Sequence, residues 1–116
     1  MSFPADMATP WRIYRGDDSL PLRITLTDAT APLDLTGWGG WRAQWRRHPR
    51  DHAAVDLTVT VADPAAGLVE VSVSAAQSRE ITSSGVWDLQ ATTPDGLRRT
   101  LVRGQIEWEW DVTRDA

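Results

Sequence analysis

Carboxylates and imidazoles are the side chains of this 116-residue sequence best suited to chemistry, and they occur in three small groups. Asp17–Asp18 and the alternating pair Glu107 and Glu109 offer carboxylates for acid–base work, and His48 and His52 offer two imidazoles. General acid–base catalysis needs such groups in a pocket that shifts their pKa values. The aspartates fall in a predicted turn and the glutamates on the outward side of a predicted strand, so solvated charge is the simpler interpretation of both.

A metal site is the other chemistry that these residues suggest. His48 and His52 flank Pro49 in a predicted turn, no third ligand lies near them, and the chain has no cysteine. Calcium at Asp17–Asp18 remains an alternative, although the spaced loop of oxygen ligands is missing. We find no nucleophile elbow, phosphate-binding loop or dinucleotide fingerprint. The sequence therefore predicts no catalytic residue, no metal ligand and no cofactor, and hence a protein that is not an enzyme.

Tryptophan and arginine are unusually frequent and stand side by side. The chain has seven Trp against one Phe and one Tyr, and its basic residues are all arginine. Trp41 and Trp45 alternate with Arg42 and Arg46, and aromatic side chains beside arginines can stack nucleic-acid bases. However, the alternation turns the tryptophans inward and the arginines outward, and the net charge is −4. We therefore expect no nucleic-acid partner.

Some aromatic residues fall outside the predicted core and are candidates for contact with a partner. Trp11 lies beside the N-terminal segment, and Trp38 lies in a glycine-rich loop. They would plug the ends of the fold, bind a glycan, or contact another protein. The predicted interface consists of Phe3, Pro4, Trp11, Tyr14 and Trp38, with a glycan as a less favoured partner than protein.

The elements that must position these residues are strands. Ile106, Trp108, Trp110 and Val112 share one parity and alternate with acidic or amide residues, which predicts a strand with one buried and one wet face. Both tryptophans are expected to anchor the core. Gly104, earlier in this strand, is predicted to mark a bulge or a close approach of backbone. This strand is predicted over residues 100–112, and similar patterns predict six further strands over residues 11–15, 20–27, 41–47, 55–61, 69–75 and 86–92.

These strands predict an all-β fold, an antiparallel sandwich of about seven strands, with an open barrel as the alternative. Residues 74–82 would add one helical turn capped by Ser74 or Ser78. The domain would span residues 11–113, with an N-terminal arm over 1–10 and a tail over 114–116.

No apolar run is long enough to span a membrane, and the N-terminus lacks a signal-peptide pattern. We therefore expect a soluble protein made in a cytoplasm, without a membrane partner.

One segment narrows the class of sandwich. The run from Ser84 to Leu89 resembles the strand-F motif of immunoglobulin domains, with Trp87 at the position of the corner tyrosine and Leu89 at that of the cysteine. Immunoglobulin-like topology would place the strands that contain Trp41, Trp87 and Trp108 side by side in one sheet. Its outer face would then form a cross-strand charge lattice of Arg42, Gln44, Arg46, Asp88, Gln90, Glu107, Glu109 and Asp111.

The running order of short motifs resembles the small β-sandwich modules of tailed bacteriophages, found in upper baseplate and tail-collar proteins. The resemblance is carried mainly by Asp34–Leu35–Thr36–Gly37, by Gly104–Gln105–Ile106 and by Asp111–Val112–Thr113. It implies a non-enzymatic virion structural protein of the tail tip, baseplate or collar that mediates assembly or fibre attachment. Its partners would be copies of itself and other virion proteins, and its location the virion after synthesis in the bacterial cytoplasm. The alternatives are a capsid decoration protein and a carbohydrate-binding module.

Overall fold

The computed structural model describes residues 5–19, 21–28 and 31–110, and this part of the chain is mostly β. It contains one short helix, α1 (Ala75–Glu80), and strands at nearly all the positions that the alternation predicts. The strands are β1 (Ala5–Asp6), β2 (Trp11–Tyr14), β3 (Leu22–Thr25), β4 (Thr27–Asp28), β5 (Ala31–Pro32), β6 (Gly39–Arg46), β7 (Val55–Asp63), β8 (Leu68–Ser72), β9 (Gly85–Thr92) and β10 (Arg98–Glu109).

The larger strands form one curled sheet. Its order is β1–β10–β9–β6–β7–β8–β3, with β2 also paired to β10, while β4 and β5 form a separate short hairpin. The curl depends on β7, which pairs with β6 from Val55 to Leu57 and with β8 from Thr58 onward. Because one long strand belongs to both halves, the inward side chains of the two halves face each other across a single core.

The two N-terminal strands are parallel to β10, and this differs from the antiparallel sandwich that the sequence predicts. Ala5 is registered with Val102, and Trp11 with Ile106, so β1 and β2 lie end to end along the same edge of β10. Parallel pairing needs a long connection between the partners, and here almost the whole chain lies between them. The sheet is therefore mixed. Residues 5 and 6 belong to the predicted arm, whereas Phe3 and Pro4 lie outside the described residues.

The core follows the predicted alternation. Trp45, Trp87 and Leu89 point inward from the central strands, and an irregularity between Thr100 and Val102 lets two consecutive residues of β10 be buried. The buried apolar residues are Ile13, Leu26, Leu35, Ala43, Trp45, Val55, Leu57, Val69, Val71, Val73, Ile81, Trp87, Leu89, Ala91, Leu101, Val102 and Ile106. Trp108 is half-buried against this core, but Trp110 is 62% exposed, so its predicted role as a core anchor is wrong.

The predicted helical turn is confirmed as α1, with Ser74 as its N-cap. The Ser74 hydroxyl accepts a hydrogen bond from the N–H of Gln77 at 3.1 Å, and the Gln77 side chain accepts one from the N–H of Ser74 at 2.9 Å. This reciprocal capping box satisfies two backbone donors that a helix start leaves unpaired. No helix in the described chain has the length and apolar character needed to cross a bilayer.

Candidate functional site

A polar depression lies on the outer face of the sheet, where β6, β9 and β10 run side by side. Alternation turns Gln44 and Arg46 of β6, Asp88 of β9 and Arg103 of β10 to this face, because their neighbours in sequence fill the core. We call this site the outer-face depression. Its volume is about 420 Å³, and its lining residues are Gln44, Arg46, Pro49, Val86, Trp87, Asp88, Gln90, Arg103 and Gly104.

Arg46 is the principal cation of the outer-face depression. Its guanidinium donates to the backbone carbonyls of Asp51 at 2.6 Å and His52 at 3.1 Å, and to Gln44 Oε1 at 3.3 Å. Among the described residues, no carboxylate oxygen lies within 4.0 Å of it. Its charge is therefore held in place by neutral groups, whereas Arg103 is ion-paired with Asp6 at 3.0 Å.

Asp88 is the acid of the same depression. It is registered opposite Gln44 on one side and Arg103 on the other. Burial raises the pKa of the Asp88 carboxyl, and the nearby charge of Arg46 opposes that rise only in part. The depression thus combines a fixed cation with a carboxylate whose charge is disfavoured by its surroundings. Because its lining contains two arginines, Arg46 and Arg103, and one acid, the depression suits an incoming carboxylate better than an incoming cation.

A second feature projects from the end of the same sheet. Gly85, the first residue of β9, is registered with Ile106, so β10 continues past β9 and is paired only with β2. We call residues 12–14 and 107–110 the terminal ribbon. Here the N–H of Trp108 donates to Ser84 Oγ at 2.9 Å, in place of a backbone partner on β9.

The terminal ribbon carries exposed aromatic rings. Trp110 is 62% exposed and packs edge-on against Trp108, with ring centroids 4.7 Å apart. The guanidinium carbon of Arg15 lies 5.8 Å from the centroid of the Trp110 ring, a cation–π distance. Tyr14 is 45% exposed and is registered with Glu109. Large aromatic side chains held in this way at a surface are typical of contact sites.

The charges of the ribbon are only partly neutralised. Arg12 donates to Glu107 at 3.2 Å, and this hydrogen bond raises the pKa of the Arg12 guanidinium. In the part of the chain that the structure describes, Glu109 has no arginine nitrogen within 4.0 Å of its carboxylate. The predicted charge lattice therefore forms differently, because Glu107 meets Arg12 of β2 and not the arginines of β6.

The predicted interface residues do not form one patch. Trp11 is half-buried and packs edge-on against Trp87 with centroids 5.6 Å apart, whereas Tyr14 on the same strand is exposed. Trp38 stacks on Trp41 at 6.3 Å beside the opposite end of β10, roughly 25 Å along the strand from Trp11. Phe3 and Pro4 lie outside the described residues. The interface that includes all five residues remains a prediction.

Asp18, His48 and His52, which the sequence offers for chemistry, are found in a helix cap and in an exposed loop. Asp18 Oδ1 accepts the N–H of Ala75 at 2.6 Å, so this carboxylate caps the start of α1. His48 and His52 lie in an exposed loop after β6. Within residues 5–19, 21–28 and 31–110, no cluster of three or more His, Cys, Asp or Glu side chains is arranged to hold a metal ion.

Sequence reasoning found part of this face and missed the rest. The immunoglobulin resemblance placed Gln44, Arg46, Asp88 and Gln90 on one outer face, but neither Arg103 nor the pairing of β10 with β2 had a signal in it. No known protein-family model matches this chain, and no curated protein sequence matches it.

Proposed function

We propose that this protein is a non-enzymatic structural subunit of a tailed-phage virion that works in many copies at the tail tip, baseplate or collar. The observation that carries the proposal is the terminal ribbon, which presents Tyr14 and Trp110 to solvent at the end of the sheet. Tyr and Trp are enriched in protein interfaces because they bury a large area at a small cost in side-chain entropy. A subunit that binds others through strand ends would expose such residues there.

The strand order supports the finer proposal that the fold is an immunoglobulin-like sandwich. The neighbours β10, β9 and β6 correspond to strands G, F and C, and the neighbours β3 and β8 to strands B and E. Trp87 of β9 is 3% exposed and packs with Trp11, so it fills the inner side of strand F. The parallel strands β1 and β2 and the shared strand β7 are additions to this plan.

The motif shared with the phage modules has a structural role that supports the proposal of a related module. The N–H of Thr36 donates to Asp34 Oδ1 at 2.9 Å, and the N–H of Trp38 donates to the carbonyl of Leu35 at 3.1 Å. Leu35 itself is buried. The run from Asp34 to Gly37 is therefore a turn that anchors the start of β6 to the core.

Measurement of oligomeric state and of binding to virion proteins tests this proposal. We expect the wild-type chain to form multimers in native mass spectrometry and to bind at least one tail protein. The variants Tyr14→Ser and Trp110→Ser should weaken these associations, whereas Leu97→Ser, which changes another exposed apolar residue (59%), should not. A strict monomer that binds no virion protein would overturn the proposal. Recovery in purified capsids and not in tails would favour a decoration protein instead.

A glycan-binding module is the second candidate, and the stacked pair Trp38 and Trp41 favours it. Both indoles are half-buried, their planes are 27° apart, and one ring face of such a pair is suited to stack on a sugar. Glycan-array binding that is lost in Trp38→Ala would support this function. Trp11→Ala is a poorer probe because Trp11 packs against Trp87. Binding to no glycan would remove this candidate.

A further inference from the structure

In the described part of the chain, the terminal ribbon and the outer-face depression each carry one charge that makes no ion pair within 4.0 Å, although Arg46 also acts on Asp88 of the same depression from a longer distance. Glu109 lies on the ribbon with no arginine nitrogen within 4.0 Å, and Arg46 lies in the depression with no carboxylate within 4.0 Å, both statements holding for the described residues. Arg46 is also held in one orientation by two backbone carbonyls. A preoriented guanidinium loses little entropy when it binds a carboxylate, so this pair is well suited to a charge-assisted hydrogen bond.

The two surfaces also match in their apolar parts. The ribbon presents the rings of Tyr14 and Trp110, and the depression offers the side chains of Val86 and Pro49 beside its arginine. An aromatic ring placed there would bury apolar area and lie against a guanidinium, a combination that protein interfaces use. The depression, at about 420 Å³, lies within the range of volumes of pockets that enclose small ligands.

A single copy cannot join these surfaces to each other. Arg103 and Glu109 are six residues apart on the same extended strand, which separates them by roughly 20 Å. A contact between the ribbon and the depression therefore requires two molecules. Such a contact is heterologous, and its repetition generates a ring when the rotation closes or a fibre when it does not.

We propose that the terminal ribbon of one copy docks head-to-tail in the outer-face depression of the next copy, with Glu109 binding Arg46. The inference rests on the proposed function, because it names the surfaces through which a many-copy subunit assembles. The occupant of the depression is a second copy of this chain, and the aromatic rings of the ribbon provide its apolar anchor.

Charge reversal on each surface tests the contact by sedimentation velocity over a series of concentrations. Glu109→Arg and Arg46→Glu should each weaken self-association at least about tenfold, because each places like charges together. An equimolar mixture of the two variants should regain association, since each supplies the intact surface that the other lacks. The controls Glu80→Arg and Arg98→Glu make the same charge changes at exposed positions elsewhere and should associate like wild type.

Disulfide trapping provides a second test that does not alter Arg46, whose hydrogen bonds also support its loop. The chain has no cysteine, so single replacements give unambiguous products. A mixture of Arg12→Cys, which leaves Glu109, Tyr14 and Trp110 in place on the ribbon, and Gln90→Cys should form the mixed disulfide at least about tenfold faster than a mixture of Glu80→Cys and Gln90→Cys, because docking raises the effective concentration of the two thiols.

The outcomes separate this inference from the proposed function. A wild-type chain that stays monomeric and binds no virion protein overturns both. Wild-type multimers that are unaffected by either charge reversal, together with equal rates of disulfide formation in the two mixtures, overturn the docking geometry and leave the virion role standing. Rescue in the mixture of charge variants together with selective trapping supports both.

Discussion

Gly104 of β10 lies directly against the indole of Trp87 on β9, its registered partner. A β-carbon at position 104 would lie 2.7 Å from Trp87 Nε1 and 3.1 Å from the β-carbon of Met7. Of the two roles predicted for Gly104, close approach is therefore the correct one, and the irregularity of β10 lies between Thr100 and Val102. The missing side chain lets the indole of Trp87, the largest core residue of β9, pack directly against the backbone of β10.

The first prediction is that Gly104→Ala lowers the free energy of unfolding. The added methyl group would overlap an indole that is only 3% exposed, and overpacking of this kind costs about 1–3 kcal/mol. Urea unfolding followed by tryptophan fluorescence measures the change. Gly39→Ala is the matched control, because a β-carbon there meets no atom within 4 Å. Equal midpoints for the two variants would contradict the packing argument.

The second prediction concerns Gly67, which adopts a φ of +69° in the loop before β8. A β-carbon there would lie 2.5 Å from the carbonyl oxygen of Leu26 and 2.8 Å from that of Leu33. Gly96 also has a positive φ, +87°, but a β-carbon would meet nothing within 4 Å. Gly96→Ala should therefore cost about 1–2 kcal/mol from backbone strain alone. Gly67→Ala should cost clearly more in the same denaturation experiment, and a smaller loss at Gly67 would be inconsistent with this structure.

Alternation predicted the strands well because it reports which residues share a face. It placed Trp45, Trp87 and Leu89 in the core, and local capping chemistry narrowed the N-cap to Ser74 or Ser78, of which Ser74 is the cap. The parallel pairing of β1 and β2 with β10 was missed because it joins residues about 95 positions apart, for which the sequence has no local signal. Trp110 was misassigned because parity identifies a face but not whether another element covers it. The outer-face depression was predicted only in part, because the expected outer face contained Gln44, Arg46, Asp88 and Gln90 but not Arg103.

The third prediction is that Ser78→Ala destabilises the fold although the change is small. The Ser78 hydroxyl is fully buried, donates to the carbonyl of Ala75 at 2.7 Å and accepts the N–H of Gly16 at 2.8 Å. Alanine would leave the Gly16 donor without its partner, which costs about 1–3 kcal/mol. Thermal unfolding should show a clear decrease in Tm. Ser83→Ala, where the hydroxyl bonds only to an exposed carbonyl, should change Tm little, and a similar decrease there would argue against the bridging role.

The fourth prediction concerns Asp34 and pH. Hydrogen bonds from the side chain and the backbone N–H of Thr36 lower the pKa of the Asp34 carboxyl, so the folded protein favours its ionised form. Its contribution to stability is present above the unfolded pKa and is lost as pH falls through the folded pKa. Asp34→Asn should therefore be less stable than wild type near pH 7, and the difference should shrink toward about pH 2 in urea titrations. A difference that is independent of pH would mean that the charge plays no part.

Asp88 should show the opposite dependence on pH. Burial raises the pKa of the Asp88 carboxyl, so the folded protein favours its protonated form despite the charge of Arg46. The stabilisation from that form is complete below the unfolded pKa and is lost as pH rises through the folded pKa. Asp88→Asn, which stays neutral, should therefore be more stable than wild type near pH 7 and should lose this advantage in acid, as urea titrations at each pH would show. If attraction to Arg46 outweighed desolvation, the variant would instead be less stable near pH 7. The sign of this one difference therefore tells whether burial or attraction to Arg46 dominates the free energy of the Asp88 carboxylate in the outer-face depression.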